Sequence, residues 1–271
     1  DRKELTNRIG NKMFRPTTVP QSLEELIIEQ AIAREALRLS FKQHKEFAVE
    51  LKGVQTERTI SDAFEQSGSG QSLVNMMDLD LLVGSGGVLS HAPRRSQSAR
   101  MLVDAFQPEG ITQLAVDSIF MMPQLGVLAN IDNKELSEEA LKAALEVFHK
   151  DCLIRLGTCI APVGKTKPGT LVLSAHLVFQ DKSTQTVELH NGELIKIDAP
   201  YEPIKVILTP AKKMDVGSGV GEPIETEIFG GVTGLLFDGR GRPLDVPIEK
   251  DKRLGLLEKW SNAVDEYPKN N

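Results

Sequence analysis

Leu81-Leu-Val-Gly-Ser-Gly-Gly-Val-Leu-Ser-His-Ala-Pro-Arg-Arg95 is the stretch on which the fold turns. Leu79, Leu81, Leu82 and Val83 form a short apolar run that reads as a buried strand, and it stops at Gly84-Ser-Gly-Gly87. An amphipathic pattern follows from about Arg95 to Phe106, with Pro93 near its start, where a missing amide costs nothing. Glycines at such a strand-to-helix bend let backbone amides come close to an anion, and a helix N-terminus adds partial positive charge. Gly84, Ser85, Gly86 and Gly87 are therefore the candidate contacts for a nucleotide phosphate or ribose, with Arg94 and Arg95 as secondary candidates. The stretch is not a dinucleotide fingerprint, because Leu89 stands three positions after Gly86 where a glycine is needed. It is not a Walker A loop either. A tight turn without any ligand explains the same glycines equally well.

Upstream, residues 1–20 are polar, and Pro16 and Pro20 block a continuous helix, so an irregular segment is expected. Ser22-Leu-Glu-Glu25 is a capping box that opens a long helix, Ser22–Glu50. Its apolar stripe reads as Ile28, Ile32, Ala33, Ala36 and Leu39, with Arg34, Arg38 and Lys45 on the other side. A shorter helix over Thr59–Gln66 precedes the glycine-serine run Ser67–Gly70. Downstream come a strand at Ile111–Asp117, a loop and short helix at Ser118–Ala129, and an amphipathic helix at Ser137–Lys150. This alternation of strands and helices argues for an α/β layer over residues 1–150.

Beyond residue 151 the pattern changes to short β-type runs: Thr170–Phe179, Thr186–His190, Glu193–Ile197, Ile204–Leu208, Ile224–Phe229 and Val232–Phe237. Asn191-Gly192 between two of them is a hairpin signal. A small β-barrel or sandwich over residues 151–271 is expected, closed by an amphipathic helix at Glu249–Tyr267.

A formal charge of −6 argues against a general nucleic-acid binder. No apolar run reaches the roughly 18–20 residues that span a bilayer, and the first ten residues are too polar for a signal peptide. Cys152 and Cys159 lack a metal-binding spacing and read as buried thiols of a cytoplasmic protein. Gly164-Lys165-Thr166 imitates the end of a Walker A, but Cys159 occupies the first glycine position and Pro168 prevents the helix. Gly217–Gly221 reads as a β-turn or bulge, and Glu225 and Glu227 as one solvated strand face rather than a cation site with Asp215 and Glu222. Asp117-Ser118 either contacts a ligand or ends its strand.

The apolar strand, paired glycines, arginine–proline neighbourhood and following helix are similar to the adenosine motif of the actin, Hsp70 and sugar-kinase superfamily. Longer strings narrow this. Asn11–Thr17, Glu29–Arg38, Gly84–Arg95, Gln107–Thr112 and Val116–Leu128 resemble the glutamate mutase L family. The resemblance implies that residues 1–150 are the second α/β lobe of an actin-like ATPase, with the helix from Ser22 packing over the base. It implies ATP or ADP with Mg²⁺ as the non-covalent cofactor of the intact protein. It also implies a cytoplasmic reactivating chaperone whose partners are the subunits of an adenosylcobalamin-dependent mutase. The chain departs from the superfamily in one respect: no Asp-x-Gly-x-Thr phosphate loop precedes residue 84. Starting at Asp1, it reads as a C-terminal part, with no catalytic or metal residues of its own and inactive as an ATPase alone. The alternative is a non-catalytic interaction module in which the glycine bend is purely structural.

Overall fold

The computed structural model describes residues 2–48, 74–129 and 138–268. The helix expected at Thr59–Gln66, the Ser67–Gly70 run and Ser137 lie outside the described residues. The elements are α1 (Arg2–Phe14), α2 (Leu23–Phe47), β1 (Leu81–Gly84), α3 (Gly87–Ser90), α4 (Arg95–Phe106), β2 (Gly110–Asp117), α5 (Met122–Ala129), α6 (Glu138–Val147), β3 (Leu153–Ala161) and β4 (Val163–Gly164). Then come β5 (Leu171–Val178), β6 (Thr184–His190), β7 (Leu194–Ile197), β8 (Pro203–Pro210), β9 (Met214–Asp215), β10 (Ile224–Phe229), β11 (Gly234–Asp238) and α7 (Lys250–Ala263).

Three layers result. The middle one is a mixed five-stranded sheet in the order β1-β2-β3-β11-β7, with β1/β2 and β3/β11 parallel and the other pairs antiparallel. One face presents Leu114, Val116, Leu156, Cys159, Ala161, Leu194 and Leu236 to a helical layer that supplies Met101, Leu102, Val103, Trp260 and Val264. Ile160, Leu235 and Phe237 point the other way, onto an antiparallel sheet in the order β10-β8-β5-β6. That second sheet alternates cleanly: Ile204, Val206 and Leu208 of β8 are buried, while Lys205 and Ile207 are exposed. The α/β class is met, and among the described residues no strand order closes into a barrel; β3, β7 and β11 of the β-rich part join the central sheet, and β5, β6, β8 and β10 form an open layer stacked on it. That central sheet runs across residue 150, where the change of sequence pattern placed a boundary: β2 pairs with β3 from Gly110↔Ala161 to Asp117↔Leu153.

Several expectations need correction. Residues 2–14 form a helix, α1, although none of its residues is buried. It is tied down by charge instead: Arg8 pairs with Glu4 at 2.7 Å and with Glu24 at 3.0 Å, and Lys12 pairs with Glu29. In α2 the inward face is Gln30, Ala33, Arg34, Leu37 and Phe41, while Ala36 and Leu39 lie outward. The N-terminus of α2 is capped as expected, Ser22 Oγ accepting the Glu25 amide at 3.2 Å, and Glu25 returns the contact one residue earlier, at the Gln21 amide. Asn191-Gly192 does not form a hairpin. β6 pairs with β5 in one sheet and β7 with β11 in the other, so the turn is a corner between layers. Gly192, at φ +93°, supplies the left-handed residue the corner needs.

Candidate functional site

β1 and β2 run parallel, so Gly84 and Asp117 end at the same edge of the sheet, where open α/β sheets place ligands. A hydrogen bond of 2.5 Å from Ser90 Oγ to the Asp117 carbonyl ties the glycine bend to the end of β2. The loop beyond is fixed by the buried Asp117 carboxylate, which accepts the amides of Ile119, Met121 and Met122 at 3.0–3.4 Å. Ser118 Oγ donates to the Cys152 carbonyl. Both residues of the Asp117-Ser118 pair are therefore spent on shaping the chain.

Within the bend the four candidates take different positions. Gly84 is buried, and a side chain there would meet Leu89 and Leu102 at 3.1–3.3 Å. Ser85 is exposed. Gly86 has φ +104°, a backbone that L-residues rarely adopt, and both it and Gly87 face open space, with nothing within 4 Å of an added Cβ. The Gly86 carbonyl accepts the amides of Leu89 and Ser90, so the amides of Gly87 and Val88, in the first turn of α3, have no helical carbonyl before them. The bend is thus open rather than packed shut.

A cleft of about 450 Å³ lies against it, between Gly87, Val88 and His91 on one side and Ser22, Leu26 and Glu29 of the α2 start on the other. The Pro16–Pro20 elbow closes one end. Its walls are mainly apolar, and the two opposite charges there, Lys12 and Glu29, neutralise each other. The ring of His91 meets Phe120 edge-on, with centroids 6.0 Å apart. Of the six residues read from sequence, Gly87 lines this cleft; Gly84, Ser85, Gly86, Arg94 and Arg95 do not. Arg94 Nη1 donates to the Asp265 carbonyl at 3.0 Å, and Arg95 Nη1 to the Ser90 carbonyl at 2.6 Å. The start of α4 is likewise covered, since Ser96 and Gln97 donate to the carbonyls of Asp265 and Glu266. Helix α3 is a single turn, so the field of a long helix does not reach the bend. Sequence reading missed Lys12, Leu26 and Glu29; the capping box at Ser22 was the signal, because it fixes which turn of α2 begins the cleft.

Behind α4 lies a charged cluster. Asp104 pairs with Arg100 and Arg240 at 2.7 Å, Asp238 with Arg240 at 2.8 Å and with Arg242 at 3.0 Å, and the buried Glu266 with Arg34 and Arg100. Burial opposes ionisation of Asp104 and Asp238. The facing guanidiniums, Arg240 first in each case, outweigh it and hold both carboxyls below the usual range. Burial, then the neighbouring Asp238, pushes the Cys159 thiol up to about 12.

The remaining sequence candidates are structural. Asp215 accepts the amides of Gly217 and Gly219, making the Gly217–Gly221 run a turn, and Glu225 and Glu227 are exposed on β10. Among the described residues, no three His, Cys, Asp or Glu side chains converge to hold a metal ion, and no helix is long and apolar enough to cross a membrane.

Comparison with known proteins bears on what the cleft serves. The family model described as MutL protein matches residues 1–145, more than half of the chain. The chain belongs to the glutamate mutase L family. No curated protein and no solved structure matches it. The glutamate mutase L match contains α1, α2, the glycine bend, α4 and β2, and so encloses every wall of the cleft.

Proposed function

We propose that this chain is the nucleotide-binding part of an ATP-dependent factor that services an adenosylcobalamin-dependent mutase of the glutamate mutase type. In this reading the α/β portion is the second lobe of an actin-like ATPase, and the factor is a cytoplasmic reactivating chaperone whose partners are the mutase subunits. One observation carries it: the open bend presents Gly87 to an apolar-walled cleft of about 450 Å³ beneath the first turn of α2. That volume lies in the range of small-molecule sites, ~300–1,000 Å³. Val88 and Leu26 offer apolar faces to a base, and the amides of Gly87 and Val88 offer donors to the ribose or nearest phosphate. Mg²⁺, when bound with the nucleotide, neutralises the phosphates; its protein ligands belong to acidic loops outside this cleft. ATP closure of two lobes would act on a partner only through contacts that differ between the nucleotide states.

A second reading has support of its own. Arg94 and Arg95 are both engaged by protein carbonyls, as expected of a bend that only turns the chain in an interaction module. Titration calorimetry with ATP and with ADP separates the two. The nucleotide reading expects saturable heats that Gly87→Ala diminishes; the absence of heat with the chain and with a longer form carrying an Asp-x-Gly-x-Thr loop would leave the interaction module standing.

A further inference from the structure

The opposite edge of the central sheet carries a second hollow. β3 runs antiparallel to β2, so its last residue, Ala161, pairs with Gly110 at the start of β2, away from the glycine bend. The chain then enters the two-residue ribbon β4–β9, where Val163 pairs with Asp215 and Gly164 with Met214. Any residue but glycine at 164 would clash there: φ is +156°, and a Cβ would lie 2.2 Å from the Lys213 carbonyl oxygen. This close approach brings Lys165 and Lys167, on the irregular segment leaving β4, beside Lys212 and Lys213, on the turn entering β9. Together they line an open hollow of about 570 Å³. All four are exposed, and none of their ammonium groups makes an ion pair or hydrogen bond among the described residues. No acidic side chain lines the hollow, and the nearest one in the ribbon, Asp215, is turned onto the amides of Gly217 and Gly219. The two hydroxyls in the same wall fix its shape: Thr170 Oγ1 donates to the Lys167 carbonyl and is itself bonded to Thr166 Oγ1, which leaves the lysines as the groups that face solvent.

Four unpaired like charges held together on a chain of net charge −6 repel one another until an anion joins them. The side chains describe the anion. Lysines without arginine present point charges rather than planar forks, which suits a compact, multiply charged oxyanion. No aromatic ring lines the hollow, which removes the stacking platform a single-stranded nucleic acid uses. We propose that this lysine hollow binds a di- or triphosphate group by point-charge contacts from the four lysines. The group comes either from free polyphosphate or from the phosphate tail of a nucleotide.

Calorimetry on the whole chain tests this with inorganic tripolyphosphate, ATP and an octaglutamate peptide, at low salt and at about 0.5 M salt, where screening should remove most of the affinity. Tripolyphosphate is expected to bind at low salt, roughly tenfold more weakly for each lysine changed. Lys212→Gln with Lys213→Gln is the first variant, and the same pair with Lys165→Gln and Lys167→Gln the second; melting temperature reports whether each stays folded. Gly87→Ala should leave intact the part of the tripolyphosphate binding that the lysine variants remove, so failure here is separable from failure at the glycine bend. A second ATP heat, lost in the lysine variants and kept in Gly87→Ala, assigns the source to nucleotide; tripolyphosphate binding without it assigns free polyphosphate. No tripolyphosphate binding at low salt, or binding undiminished in both variants, overturns the proposal. Octaglutamate bound as tightly as tripolyphosphate also overturns it, in favour of an acidic polypeptide.

Discussion

Arg240 reaches across 136 residues of sequence to Asp104 and pairs with it at 2.7 Å, joining the end of β11 to the last turn of α4. The same guanidinium holds Asp238 at 2.8 Å, and its flat face stands 5.1 Å from the Trp260 ring centroid. One buried side chain thus links the central sheet, the helix behind the glycine bend and the C-terminal helix. Removing one partner of such a pair leaves an uncompensated buried charge and typically costs about 3–5 kcal/mol. Asp104→Ala should therefore destabilise the chain by up to that amount in urea unfolding, since Arg100 and Arg240 each lose one carboxylate and keep only Glu266 and Asp238 respectively. A loss below about 1 kcal/mol would show that water, not Asp104, satisfies these arginines.

The pH dependence follows from the same groups. Asp104 and Asp238 have folded-state pKa values below their unfolded values, because the facing arginines outweigh burial. A depressed carboxylate contributes its stability in full above the unfolded value, about 3.9, and loses it as pH falls toward the folded one. Stability contributed by this cluster should thus be flat from about pH 7 to 5 and fall steeply below about 4. Asp104→Asn should flatten the acid limb of a melting-temperature profile; an unchanged acid slope would remove Asp104 from the account.

How much of this was legible in sequence depended on whether apolar periodicity survived. β1, α4, β2 and most of the second sheet kept theirs and were placed within a few residues. β3 did not. Its helix-facing residues are Ile154 and Leu156 before Gly157, but Cys159 and Ala161 after it, so the period of two breaks mid-strand. The register shift opposite Leu114 and Ala115 absorbs the extra residue. α1 was invisible for a different reason: ion pairs rather than an apolar face hold it to α2. Asn191-Gly192 reads as a hairpin and is instead a corner, because only tertiary packing decides whether a turn joins two strands of one sheet or two layers. In the site, the glycine bend was readable because its chemistry is local. The opposite wall was not, because it depends on how α1 and the proline elbow lie against α2.

That irregularity in β3 has a measurable consequence. Gly157, at φ +135°, lies so close to β11 that a Cβ would fall 1.7 Å from the Gly234 carbonyl oxygen. Gly157→Ala must separate two central strands and adopt a strained backbone, so a loss above about 4 kcal/mol, or failure to fold, is expected. Gly255, inside α7, has nothing within 4 Å and no positive φ. Gly255→Ala should raise stability by up to about 1 kcal/mol. Denaturant midpoints of the pair read both effects, and similar shifts for the two variants would contradict the close strand approach.

Thiol chemistry reports on the same core. Cys152 and Cys159 are both buried, and burial beside Asp238 raises the Cys159 pKa to about 12. Thiolate is the reactive form, so Cys159 should resist a disulfide-exchange reagent throughout pH 7–9 while the chain is folded. Labelling should then follow the unfolding transition in denaturant rather than reagent concentration. Rapid labelling of Cys159 in buffer would mean that the sheet opens locally around β3.

The glycine bend offers a test that separates ligand binding from folding. Gly86 is a poor choice, because its φ of +104° makes any substitution strained whether or not a ligand binds. Gly87 begins α3 without a positive φ and with open space where a Cβ would project. Alanine at 87 should therefore leave the melting temperature unchanged or slightly higher, since it restricts the unfolded chain. If nucleotide approaches the backbone at this lip of the cleft, the added methyl group stands in its way, and ATP affinity should fall by about tenfold or more, the equivalent of ~1.4 kcal/mol. A purely structural bend gives the same preserved stability, but no nucleotide heat that the substitution can diminish. Calorimetry and melting curves on the same preparation of Gly87→Ala distinguish the two outcomes, because only a bound ligand makes this position matter without the fold noticing.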